Sequence, residues 1–303
     1  MFHKLKRTLK RDWQYWAFLI LPLVYLIVFE YYPMLGVQIA FRNFTAKGGI
    51  WGSKWVGLKH FIRFFESYQF DRVIVNTMVL SFYGQIVGTV VPVFFALLFN
   101  CVEKPRLKKT IQTIVTLPHF ISVVVLVGIL MQIFNSRTGL YGIVFEALTG
   151  EYPKDIFASA NGFRHLYVWS GVWQSFGWSA IIYIAALAGV DTNLHEAAQM
   201  DGASRFQRVL HVDFPHIQPT IIILLIMNVG KIMNVGFQKV FLMQNNLNRS
   251  ASEIISTYTY QVGMVESNYS YAAAIGLFNG VVNLILVIVT NKISRRVSET
   301  SLW

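Results

Sequence analysis

The sequence predicts an all-α membrane protein of six transmembrane helices, and three observations carry that prediction. Of the 303 residues, 54% are hydrophobic and 14% are Asp, Glu, Lys or Arg, giving a mean hydropathy of +0.48. Apolar runs of about 20 residues, the length a helix needs to cross the hydrocarbon layer, recur along the whole chain. Between the fourth and fifth runs lies a polar, alanine-rich stretch, EAAQMDGASRFQRVLHVDFP at 196–215, with a helical pattern of its own.

Taken in order, the spans are expected at 13–32, 73–99, 111–134, 163–190, 217–243 and 272–290. Helices are expected because lipid offers backbone N–H and C=O groups no partner. The first run follows Lys4, Lys6, Arg7, Lys10 and Arg11 as a signal peptide would. Bulky Tyr31-Tyr32-Pro33 stands where a small-residue cleavage site belongs, so the run reads as a retained span. Pro22, Pro92 and Pro118 fall in or beside spans, where they free carbonyls and bend helices. The first loop, 36–72, is glycine- and tryptophan-rich at 48–55 and reads either as a contact for an external partner or as a lid on the bundle. Basic residues cluster at the N-terminus, at Lys104, Arg106, Lys108 and Lys109, at Arg205 and Arg208, and at Lys292, Arg295 and Arg296. By the positive-inside rule both termini and the 191–215 loop face the cytoplasm, although Arg42, Lys47, Lys54, Lys59, Arg63 and Arg72 in the first loop weaken the contrast. The whole chain, 1–303, reads as a single transmembrane domain.

Several function classes are set aside. The net charge of +11 is accounted for by cationic flanks meeting anionic lipid, so no nucleic-acid partner is needed. Cys101 is the single cysteine, which rules out an intramolecular disulfide. The seven histidines are scattered without ligand spacing, so no metal site is expected. No nucleophile elbow or zinc-binding His pair occurs, and the one Gly-Lys pair, Gly230-Lys231, is followed by Ile232 rather than Ser or Thr. No cofactor is expected on this chain; if ATP is used, another chain binds it.

The 191–215 loop has its own start and stop signals. Asn193 is expected to cap a short helix with Glu196 reaching back, Asp201-Gly202 supplies the turn, and Ser204 with Gln207 repeats the capping logic. Two helices follow, at 194–200 and 205–212, the second stopped by Pro215. Ala197, Ala198, Gly202 and Ala203 leave a surface bare of side-chain bulk, flanked by the charges of Glu196 and Asp201, that another backbone can approach closely. The alternative is an amphipathic connector lying on the bilayer through Phe206, Val209 and Leu210.

The spacing of EAA, Asp201-Gly202 and Val212-Asp213-Phe214-Pro215 resembles the EAA loop of binding-protein-dependent ABC importer permeases. Val212 and Phe214 stand where the family usually has isoleucine and leucine. TLPHFIS at 116–122, NVGFQKVFLMQNNLN at 234–248, SEIISTYTYQVG at 252–263 and the terminal ETSLW are similar to the polysaccharide and oligosaccharide branch. The resemblance implies a type I ABC importer permease fold, with coupling helices between spans four and five. It also implies as partners a second, different permease, two cytoplasmic ATPase subunits that hold ATP and Mg, and an extracytoplasmic solute-binding protein. Glu196, Ala197, Ala198, Asp201, Gly202 and Ala203 would dock the ATPase, in a bacterial cell membrane. An importer of a non-sugar solute and a membrane scaffold that recruits a cytoplasmic partner are the other readings.

A sugar path should interleave aromatic rings, on which pyranose faces stack, with amides that meet hydroxyls. Span four offers Trp169, Trp173, Gln174, Trp178 and Tyr183; span five offers Asn228, Asn234, Phe237 and Gln238. Aromatic belts and interhelical hydrogen bonds are the ordinary uses of such residues. Lys231 must pair, snorkel or line water; it meets either an acidic sugar or a partner carboxylate.

Overall fold

The computed structural model describes residues 12–229, 232–233 and 235–297. The basic leader, Gly230, Lys231, Asn234 and the ETSLW terminus lie outside the described residues. Among the described residues four helices are long and apolar enough to cross a membrane, or up to six if each of two bent helix pairs is one span. The helices are α1 (Trp13–Phe41), α2 (Lys59–Phe65), α3 (Gln69–Asn100), α4 (Pro105–Phe120), α5 (Val123–Ile133), α6 (Leu140–Thr149), α7 (Ala160–Leu187), α8 (Thr192–Met200), α9 (Arg205–Val229), α10 (Phe237–Met243) and α11 (Tyr269–Val297).

The chain divides into two compact units. The first is Met1–Ser67 with Thr259–Phe278. Here α1 runs past the expected end at Tyr32 to Phe41, changing to a π turn at Leu26–Tyr31 and a 3-10 turn at Leu35–Phe41. Pro33 enters at the start of a new turn, where its missing N–H is not needed. The loop beyond it holds a hairpin that the all-α reading lacked. Strands β1 (Arg42–Asn43) and β2 (Lys54–Trp55) pair antiparallel, Arg42 opposite Trp55. The Arg42 guanidinium fastens the turn by donating to the carbonyls of Trp51 and Ser53 at 3.0 and 2.9 Å. Phe64, 1% exposed, packs edge-on against Tyr271 and Phe278.

The second unit is Tyr68–Tyr258 with Asn279–Trp303. One cluster of its core joins Leu80 of α3, Leu126 and Leu130 of α5, Phe163 and Leu166 of α7, and Val240 and Met243 of α10. Another joins Val93 and Ala96 to Ala180, Tyr183, Leu187 and Ile217. The third span is not one rod: α4 and α5 meet at 97°. Pro118 lies in the 3-10 turn before the bend, Ser122 caps α5, and the Ile121 carbonyl freed there accepts from the Gln174 amide at 2.7 Å. On α7 a Cβ at Gly177 would lie 2.1 Å from the Val115 carbonyl oxygen, so only glycine allows α4 and α7 to touch backbone to backbone.

Span five departs most from expectation. The continuous helix expected at 217–243 is instead α9, which begins twelve residues earlier at Arg205, followed by a break and α10. Inside a bilayer a broken helix must find partners for the backbone groups it frees. The Ile232 carbonyl accepts from Ser81 Oγ, and the Met233 N–H donates to Asn283 Oδ1 at 3.1 Å. Pro215 does not stop α9. Just before it the chain widens to a π turn at Val209–Asp213, with the Phe214 N–H donating five residues back to Val209, and this turn takes up a proline that has no N–H to place.

Candidate functional site

Helix α8 is capped by Asp191, whose carboxylate accepts from the Asn193 N–H at 2.9 Å. The cap thus stands two residues before the expected Asn193. At its other end Gly202 takes φ +80°. The Gly202 N–H donates to Gln199 and the Ala203 N–H to Ala198, at 3.0 and 2.9 Å. That pair of bonds is a Schellman motif, which uses a left-handed residue to close a helix. Ser204 and Gln207 then form a reciprocal capping box that opens α9. The turn brings Glu196, Ala197, Asp201 and Gly202 to an exposed surface, with Ala198 and Ala203 half-buried. Met200 is 88% and Phe206 74% exposed at its edges. A surface of small residues between two protruding apolar side chains suits insertion into a cleft.

What holds this surface is Asp213, which the sequence reading used only as part of the VDFP motif. It is 2% exposed in the π turn. Its Oδ1 accepts from His195 Nε2 of α8 at 3.2 Å and from Asn100 Nδ2 of α3 at 3.2 Å. One carboxylate therefore ties together the loop helix, the foot of span five and the end of span two. The exposed pair Arg205–Glu103, at 2.9 Å, spans the same gap but is screened by water and contributes little. Behind these groups lies a cavity of about 380 Å³ bordered by Asn100, Cys101, Arg208, His195 and Asp213.

The proposed path residues are spread out. Asn228 lines a cavity of about 230 Å³ with Ser81, Gln85, Tyr167 and Gly236, beside the break in span five. Gln238 is exposed on α10 and Trp173 is half-exposed on α7. The Gln174 amide is engaged with Ile121, and Tyr183, 4% exposed, lies in the apolar core. Trp169 donates to the Tyr83 hydroxyl at 2.8 Å, and Trp178 stacks on His119 with ring centroids 4.6 Å apart. Lys231 and Asn234 lie outside the described residues. Ser81, Gln85 and Tyr167 escaped the sequence reading because an isolated polar residue in an apolar run says nothing of which face it is on.

Comparison with known proteins gives concordant matches. Residues 88–299 match the family model described as "Binding-protein-dependent transport system inner membrane component". Protein LplB of Bacillus subtilis (strain 168) is 40% identical, the alignment covering 98% of this chain and 93% of LplB. The polygalacturonan/rhamnogalacturonan transport system permease protein YteP of the same organism is 38% identical over 96% of this chain and 90% of its own length. The fold superposes on a chain of the bacterial alginate ABC transporter, crystallised in complex with alginate pentasaccharide-bound periplasmic protein. That match has TM-score 0.89 and 34% identity, and covers 99% of this chain and 100% of the other.

Proposed function

The chain belongs to the binding-protein-dependent transport system inner membrane components, and from that premise we propose that it forms half of the membrane path of an oligo- or polysaccharide importer, driven from outside itself. It is a multi-pass permease subunit with the type I ABC importer fold. Two cytoplasmic subunits bind ATP and Mg; this chain has no nucleotide site of its own, and it works beside a second, different permease in a bacterial cell membrane. A solute-binding protein delivers the sugar from outside, as the periplasmic protein of the alginate system carries its pentasaccharide.

The observation that carries this reading is the α8 surface: small, exposed, ended by a left-handed glycine and anchored to two spans by Asp213. Closure of an ATPase dimer around Glu196, Ala197, Ala198, Asp201, Gly202 and Ala203 would displace α8, and Asp213 would pass the displacement to α3 and α9 as rigid-body rocking. Sugar would pass Asn228 and the cavity it lines, with Lys231, Asn234, Gln238, Trp173 and Gln174 along the path, while Tyr183, sealed in the apolar core, drops out of it. The test is sugar-stimulated ATP hydrolysis and uptake by the complete complex in liposomes, comparing wild type with Glu196→Ala and Gly202→Asp. Both activities are expected to fall together, about tenfold or more, while the subunits still assemble. Unchanged activity in both variants makes the loop a passive connector on the membrane surface.

A further inference from the structure

Lys239 is the one charged residue of α10, FQKVFLM, and it points inward: the residue is 8% exposed. Its Nζ donates to the Tyr167 carbonyl at 2.8 Å and lies 4.9 Å from the centroid of the Tyr167 ring. A Cβ at Gly171 would come within 3.1 Å of the amine, so α7 both leaves room for it and walls it in. Among the described residues no carboxylate lies within 4 Å of it. A carbonyl oxygen and a ring face offer only partial negative charge. An ammonium enclosed away from water is costly unless a full negative charge answers it.

The same Tyr167 lines the cavity that Asn228, Gln85 and Ser81 share. A solute there is separated from the uncompensated charge by a single aromatic residue, through surroundings of low dielectric that screen it weakly. We infer that Lys239 makes this cavity selective for acidic saccharides, with uronate carboxylates supplying the countercharge across Tyr167. The inference rests on the carbohydrate-import reading and adds the charge of the cargo. A carboxylate from the partner permease is the competing source, but α7 and α10 already enclose the amine before any partner arrives.

The test uses the complete complex in liposomes with saturating binding protein, supplied with short oligosaccharides of galacturonate or of alginate uronates, or with their carboxyl-reduced neutral counterparts. Wild type is expected to prefer the acidic forms. Lys239→Met should cut that preference about tenfold, equivalent to ~1.4 kcal/mol, and Lys239→Arg should keep most of it. Equal loss of acidic and neutral uptake in Lys239→Met would make the lysine a helix fastener and overturn the inference. So would loss of the partner permease on co-purification, which would assign the countercharge to that chain. Wild-type uptake of neutral sugars alone overturns the inference and leaves the importer reading standing, whereas no uptake of any saccharide removes the importer reading itself.

Discussion

Asp213 is flanked by Val212 and Phe214 and almost sealed from water, so the donors that meet it stand in for the hydrogen bonds water would give. Asp213→Ala strips the acceptor from His195 and Asn100 together; both donors are part-buried beside the cavity, so each lost bond costs about 1 kcal/mol. The expected result is uncoupling: ATP hydrolysis persists while sugar moved per ATP falls about tenfold, because α8 still docks but no longer pulls on α3. An unchanged ratio of sugar to ATP removes Asp213 from the transmission path. The sequence reading named the small-residue surface proposed for docking but not this anchor. Alanines, a glycine and a capping Ser-Gln pair announce themselves through local chemistry, whereas the worth of Asp213 depends on Asn100, more than a hundred positions away. Lys239 was open to the reasoning applied to Lys231, since both are cations in apolar runs, but its enclosure depends on Tyr167 and Gly171, which no local pattern reveals.

Among the elements, spans two and four kept their expected extents within a few residues and span six ran on to Val297, because a long apolar run in lipid has no alternative to helix. The third and fifth departed from single rods for a shared reason: their breaks are stabilised by side chains of other spans. Gln174 meets the carbonyl at the first bend, and Ser81 and Asn283 meet the backbone at the second. Pro118 hinted at one break, while the other showed only as glycines among polar residues, a pattern equally at home in a straight helix. The contact of α4 with α7 yields a sharp prediction. Gly177→Ala drives a methyl against the Val115 carbonyl, and a backbone atom cannot rotate away as a side-chain tip can. The helices must part, at a cost of about 1–3 kcal/mol, so the purified complex should melt a few degrees lower. An unaltered melting temperature would mean that the two helices do not touch in the assembled complex.

At the scale of the whole molecule, orientation is the property on which the coupling scheme depends. From Lys104, Arg106, Lys108, Lys109, Arg205 and Arg208 the positive-inside rule predicts that the α3–α4 and α7–α9 connections face the cytoplasm. Protease added to sealed right-side-out vesicles should therefore spare a tag inserted at Gly202 and cut one inserted near Gly49 in the first loop. The reverse pattern would put α8 out of reach of any cytoplasmic ATPase.

The cavity behind Asp213 has a further use. Cys101, the only cysteine of the chain, is exposed and borders that cavity. Its sulfur sits where span two meets the loop machinery, so the native protein carries a ready attachment point for a fluorophore or a spin label. A reagent attached there would report whether the gap changes with turnover, and the transport cycle would acquire a clock without any residue being replaced.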